Sequence, residues 1–275
     1  MRSEAKHKYL ILKSNDIAKK KDLKDLYGRL RDNISPPQDG TERINYKDFK
    51  AVGEQNELFH AYFLPSNFLK FDKDQYGRID IIAFFHYIIK RNTIESMKLN
   101  VAYFDYYCEG FLIDKDIEQY ITKEVQSFPF YNDIDREKQD FYLLVAQRKF
   151  FFHLDPKHKG KIYINDMITS NVLLEFQEMS GNNYPTLSSN EITLNWFSKE
   201  NFERIYNKYI QLNIKENGML SREELIKYGP GLTTIFIDRV FEEYQKFENA
   251  IDFKQFVEFV LAMENRKDPA SIRYI

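Results

Sequence analysis

The feature that most constrains this chain is a short loop signature that recurs between amphipathic stretches: a glycine, then an aliphatic residue two positions later. Asp72-Lys-Asp-Gln-Tyr-Gly-Arg-Ile-Asp80 is the clearest copy, preceded by Phe68 and Phe71 and followed by Phe84 and Phe85. Gly110/Leu112, Gly160/Ile162 and Gly218/Leu220 repeat it. Ile44 and Ile251 stand at the same phase in two weaker copies, where Glu42 or Asn249 replaces the glycine. A helix, a loop with glycine sixth and an aliphatic residue eighth, then a second helix is the layout of an EF-hand. In that motif the eighth residue forms a short strand joining two loops back to back, so it must be buried, and all of these positions are apolar.

Spacing assigns partners. Ile44 and Ile79 lie 35 residues apart and Leu220 and Ile251 lie 31 apart, each about one helix–loop–helix unit. Leu112 and Ile162 are separated by 50 residues, and the connection from Phe128-Pro-Phe130 to Arg136 takes up the excess. The expectation is an all-α chain of paired, degenerate EF-hand units in two lobes, with only short strand bridges between loops. Helical periodicity predicts helices near 16–31, 46–52, 56–70, 81–96, 114–125, 139–153, 164–176, 199–211, 222–227, 233–246 and 252–265, with Asp16 as the first N-cap. The abundance of aromatics, 24 Phe and 19 Tyr against 10 Gly and 8 Pro, fits helices around an aromatic core. Four units fall in an N-terminal lobe, 1–178. The polar stretch 179–195, with Gly181-Asn-Asn-Tyr-Pro185, reads as a linker, and 196–275 reads as a C-terminal pair. Asp268-Pro269 opens a helix that stops at Ile275, so this pair looks truncated.

Calcium takes six to eight oxygens, drawn from loop positions one, three, five, seven and nine and from a bidentate Glu at twelve. The loop from Asp72 offers Asp72, Asp74 and Asp80, but Tyr76 is fifth and Ala83 twelfth. The loop from Asp105 offers Asp105, Glu109 and Asp116, with Tyr107 third and the shorter Asp116 in the place of Glu. The loop from Asp155 puts Lys157 and Lys159 where ligands belong. The loop from Asn213 keeps Asn217, Gly218, Ser221 and Glu224 in register but starts on Asn213 and carries Lys215 third. The loop from Tyr244 carries Lys246 and ends on Gln255, and the one from Pro37 has Asp39, Asn45 and Asp48 without the turn glycine. No loop holds a full ligand set. The expectation is therefore no metal site and no cofactor, with one weak calcium site at Asp72–Ala83 or Asp105–Asp116 as the sharp alternative.

Composition and motifs narrow the function class. The 40 basic and 42 acidic side chains nearly cancel to −2, which leaves no electrostatic footprint for nucleic acid or an anionic membrane. There is no apolar run of membrane-spanning length, no leader-like start, and a single cysteine, Cys108, so the expectation is a soluble cytoplasmic chain. Phosphate-loop, zinc-protease and nucleophile-elbow signatures are missing, and Gly229-Pro-Gly231 is only a turn. His60, His86 and His153 sit among aromatics on predicted helices, where a core role fits better than catalysis. Cys108 stands beside Glu109, a setting that does not activate a thiol. Trp196 reads as an anchor for the second lobe. No catalytic residue emerges, and the expectation is a protein without enzyme activity.

Five stretches carry a resemblance: Arg148-Lys-Phe-Phe-Phe-His-Leu-Asp-Pro156, Asn195-Trp-Phe-Ser198, Asn217-Gly-Met-Leu-Ser-Arg-Glu-Glu-Leu225, Phe236-Ile-Asp-Arg-Val-Phe241 and Phe259-Val-Leu-Ala-Met-Glu-Asn-Arg-Lys-Asp-Pro269. With Ile44-Asn-Tyr-Lys-Asp-Phe49 and Tyr76-Gly-Arg-Ile79, they resemble the B-double-prime regulatory subunits of protein phosphatase 2A, gamma type, which include the plant FASS/TONNEAU proteins. The resemblance implies a non-catalytic targeting subunit that binds the phosphatase scaffold and catalytic subunits and presents phosphoproteins to them. It also implies a cytoskeletal place, at centrosomes, basal bodies, cilia or cortical microtubule arrays. Asn213 and Lys215 depart from the family's best calcium loop, which has Asp at both positions. Two rival readings stay open: a structural docking protein of an axonemal, basal-body or cytoskeletal assembly without phosphatase, and a weak calcium sensor.

Overall fold

The computed structural model describes residues 2–215, 217–243 and 250–274. Among these residues helices dominate, and the strands are two or three residues long, paired in three separate antiparallel ribbons. The chain forms two compact units, Met1–Tyr103 and Phe104–Ile275.

The first unit comprises α1 (Arg2–Asn15), α2 (Lys20–Asp32), β1 (Arg43–Ile44), α3 (Tyr46–Glu54), a 3-10 turn (Glu57–Tyr62), α4 (Pro65–Phe68), β2 (Ile79–Asp80) and α5 (Ile81–Ala102). Its core is aromatic: the Phe49 ring lies 4.8 Å from Phe63, 5.0 Å from Phe68 and 4.9 Å from Phe84. Tilted and edge-on contacts of this kind are favoured over flat sandwiches. Two expectations are corrected here. Asp16 does not start a helix; it ends α1, where it accepts from Lys13, and α2 begins after Lys19. The predicted helix over 56–70 breaks at Pro65, whose ring and missing amide permit only a new first turn.

The second unit holds β3 (Phe111–Ile113), α6 (Asp114–Glu124), α7 (Arg136–Leu154), β4 (Lys161–Tyr163), α8 (Ile164–Ile168), α9 (Asn171–Glu178), α10 (Ser189–Leu194), α11 (Lys199–Leu212), β5 (Leu220–Ser221), α12 (Arg222–Leu225), α13 (Thr234–Glu243), β6 (Ala250–Ile251), α14 (Phe253–Glu264) and α15 (Pro269–Tyr274). Helix α7 is its axis. It packs between α6 and α14 and buries Tyr142, Val145, Phe150, Phe151 and Phe152. The single helix predicted over 164–176 is two, because Ser170 turns its hydroxyl to the Leu173 amide and caps α9.

The stretch 179–195, expected to be a linker, lies inside this unit, and the compact units part at Tyr103/Phe104 instead of near 178. Hydrogen bonds and close approach hold the stretch. The Gly181 amide donates to the Ser127 carbonyl at 2.8 Å, so close that a Cβ on residue 181 would lie 2.9 Å from that oxygen. Asn195 then donates to the Glu175 carbonyl, and the Trp196 amide donates to the Glu175 carboxylate at 2.7 Å. Trp196 is buried, and the Lys149 ammonium lies 5.2 Å over its ring. Among the described residues, no helix is long and apolar enough to cross a membrane.

Candidate functional site: the paired loops

Each ribbon joins the residues that sequence spacing put together. Ile44 pairs with Ile79, Leu112 with Ile162 and Leu220 with Ile251, and all six side chains are fully buried. Gly77, Gly110, Gly160 and Gly218 adopt the left-handed backbone that their loop position demands, with φ between 67° and 80°. The first loop, which has Glu42 at that position, makes its left-handed turn at Gly40 instead.

Inside the first pair, the space between carboxylates belongs to a side chain. Arg78, seventh in its loop, is only 1% exposed. Its Nε donates to Asp74 at 2.8 Å and its Nη2 to Asp39 at 2.7 Å. Its Nη1 donates to the carbonyls of Ser35, at 3.0 Å, and Pro37, at 2.6 Å. Asp39 and Asp74 are the third residues of their loops, so one guanidinium bridges both carboxylates, offsets one of their two charges and ties the loops together. The hydroxyl of Thr41, with that guanidinium, holds the Asp39 carboxyl well below the usual range. Burial pushes Asp74 up, but its bonds to the Arg78 amide and guanidinium outweigh this and lower it. Asp80 caps α5 through the Ala83 amide, while Asp72 is exposed.

In the second pair the candidate ligands face their own backbone. Asp105 accepts from the amides of Glu109 and Gly110, and Asp116 from Ile113, while Glu109 stays exposed. Asp155 accepts from Lys159 and Gly160 at 3.0 and 2.6 Å, and Lys157 and Lys159 are exposed. Cys108 is exposed and His158 is too; each holds a left-handed backbone at the fourth loop position, φ 56° and 49°.

In the third pair, Glu224 is buried and accepts from the amides of Lys215 and Ser221 and from the Ser221 hydroxyl. Burial opposes its charge, yet these donors lower its pKa. With its amide oriented to suit its neighbours, Asn213 accepts from the Gly218 amide at 3.1 Å. Lys246, in the loop from Tyr244, lies outside the described residues, as does Asn249. Among the described residues, no three or more His, Cys, Asp or Glu side chains converge as a metal-ligand group.

Two features escaped the sequence reading. Arg78 carried a usable signal, a cation directly after the turn glycine and four residues beyond Asp74. Arg148 carried none: it sits buried on α7, bonded to Asp114 at 3.0 Å and Glu258 at 3.4 Å, partners far apart in sequence.

Paired, backbone-satisfied EF-hand loops on an aromatic helical frame define the class: a degenerate EF-hand protein. No family model matches the chain. Along its whole length the chain is similar in sequence to the B-double-prime gamma regulatory subunits of serine/threonine-protein phosphatase 2A. It is 37% identical over 279 residues to the Xenopus tropicalis subunit and 35% identical to the human one, covering 100% of this chain and 62% and 61% of those proteins. The probable B-double-prime subunit TON2 of Arabidopsis thaliana is 31% identical over 98% of this chain and 59% of its own length. The chain thus spans about three fifths of these curated relatives. A solved chain from a PP2A PR70 holoenzyme shares the fold, with TM-score 0.50 and 24% identity over 60% of this chain and 61% of that one.

Proposed function

We propose that this chain is a non-catalytic regulatory subunit of a protein phosphatase 2A assembly, binding the scaffold and catalytic subunits and carrying selected phosphoproteins to them. The observation that carries this reading is the alignment of the entire chain with proteins named as regulatory subunits of that phosphatase. The loop chemistry adds a second element, namely that association does not depend on calcium. A helical frame with an aromatic interior leaves outer helix faces and grooves for partner helices or peptides. The finer part of the proposal, a place at centrosomes, basal bodies or other microtubule-organising structures, rests on the family resemblance.

The test is a pulldown of the full chain with purified scaffold–catalytic core, in calcium and in chelator, beside imaging of a fluorescent fusion. Retention of the core in both conditions is the expected result. Loss on chelation would restore the calcium switch. No retention in either condition would leave the chain as a docking protein without phosphatase, and a diffuse fusion would remove the cytoskeletal part alone.

A further inference from the structure

The ribbon β3–β4 differs from the other two in what it shows outward. Its inward residues are Leu112 and Ile162; by strand alternation Phe111, Ile113, Lys161 and Tyr163 share the opposite face. Tyr163 is 53% exposed and Ile113 is exposed, and the Phe111 and Tyr163 rings meet edge to face at 6.0 Å. On the sister ribbons, Arg43 with Asp80 stands in the place of Phe111 with Tyr163, and Ser221 with Ala250 in the place of Ile113 with Lys161; Met219 and Asp252 hold the aromatic positions of the third ribbon. Among the described residues, an aromatic outer face is therefore found on this ribbon alone and is not needed to build one.

Charge indicates what would cover it. The loop entering β4 carries Lys157 and Lys159 and the strand opens on Lys161, all exposed, with the Lys161 ammonium 4.0 Å over the Phe111 ring. The acid of that loop, Asp155, is buried and bonded to backbone amides, so its surface is basic. On the other side, the loop entering β3 exposes Tyr106 and Tyr107, and the Ile164 amide continues the ladder to the Gly110 carbonyl. The cations are lysines, mobile point charges suited to a run of carboxylates, whereas one fixed phosphate is better held by the planar fork of arginine. Three lysines also fall short of the four to eight basic residues of an anionic-lipid patch.

We propose that the outer face of β3–β4 binds an Asp/Glu-rich, aromatic-bearing segment of a partner protein, its carboxylates on Lys157, Lys159 and Lys161 and its ring on Phe111 and Tyr163. This surface works in the chain alone, so its test is independent of the phosphatase reading.

The probe is a fluorescein-labelled peptide of Glu and Asp flanking a central Phe-Pro-Phe, titrated with the full chain by fluorescence anisotropy. Binding is expected in the micromolar range, weakened roughly tenfold or more by K157E/K159E/K161E and roughly threefold or more by Tyr163→Thr. The same charge change on α2, K20E/K21E/K24E, leaves it within about twofold. Tyr107→Ser gives a second reading of the aromatic part should the strand variant fail its circular-dichroism check. No binding at 100 µM chain overturns the proposal, as does equal weakening by both triple variants, which marks diffuse charge attraction. Stronger competition by phosphatidylserine vesicles or oligo-deoxythymidylate than by unlabelled peptide would reassign the face to lipid or nucleic acid and overturn it as well.

Discussion

Arg78 does within the chain what a bound cation does in a metal-filled hand: it draws two carboxylates and two carbonyls onto one positive charge. Removing one partner of a buried ion pair leaves the other groups desolvated and uncompensated. Arg78→Ala is therefore expected to lower the thermal midpoint by roughly 5–10 °C, with Arg78→Lys recovering only part, because an ammonium cannot supply the fork of donors. Scanning calorimetry of both variants decides it, and an alanine variant that melts with the native chain would refute the role. His153 is the second residue whose chemistry can be read. Burial, then the Lys149 charge, depress its pKa to about 4 against the pull of Asp268, and its Nε2 is buried without an acceptor for a second proton. The unfolded chain thus takes up the proton first, so stability is full above about 6.5 and is lost as pH falls toward about 4. Partial exposure and Asp268 reduce the effect to on the order of 1–2 kcal/mol, which His153→Gln should abolish in melts compared at pH 7 and pH 4.5.

The elements follow local rules with two kinds of exception. The six ribbon residues were legible because their apolarity recurs at a fixed phase after a turn, and a buried bridge tolerates nothing else. Leu112→Ala is accordingly expected to cost about 2–4 kcal/mol in urea unfolding, whereas the same change at exposed Leu194 should cost under about 1 kcal/mol. The stretch 179–195 was not legible as structure, since its polar composition matches a linker while its anchors are the Gly181 amide on the Ser127 carbonyl, remote in sequence, and the Asn195 side chain folded back on Glu175 of α9. The capping of α9 by Ser170 was likewise hidden inside a continuous apolar periodicity. In the loops, the missing ligands could be read residue by residue, but not what replaces them. Glu224 illustrates this. A glutamate at position twelve signals calcium, yet here it serves as a brace for its own loop, bonded to Lys215 and Ser221. Glu224→Gln keeps the shape and weakens those bonds, so a loss of about 1 kcal/mol is expected, seen equally in calcium and in chelator.

At the scale of the whole molecule the charge count bears on regulation. With 42 acidic against 40 basic side chains, the chain has no broad negative field to concentrate divalent cations. Most loop carboxylates that could act locally are already bonded: Asp39 and Asp74 to Arg78, Asp105 and Asp155 to loop amides, Asp116 and Asp80 to helix caps, while Asp72 and Glu109 are exposed. Binding calcium at any of these loops means breaking such bonds first, and Lys157, Lys159 and Lys215 add repulsion where three of the ligands would stand. A site with a dissociation constant of about 1 mM would still raise stability by about 1.4 kcal/mol at 10 mM calcium, a shift of roughly 3–5 °C in the midpoint. The expected shift between 10 mM calcium and chelator is below about 1 °C, with no saturable heat in titration calorimetry. A saturable, chelator-reversible shift would contradict the loop geometry. Its loss in Asp72→Asn or Asp105→Asn would say which of the two weak candidates holds the ion. The proposed association with phosphatase subunits would then have to be measured as a function of calcium, since the same bonds that brace the loops would be the ones the ion rearranges.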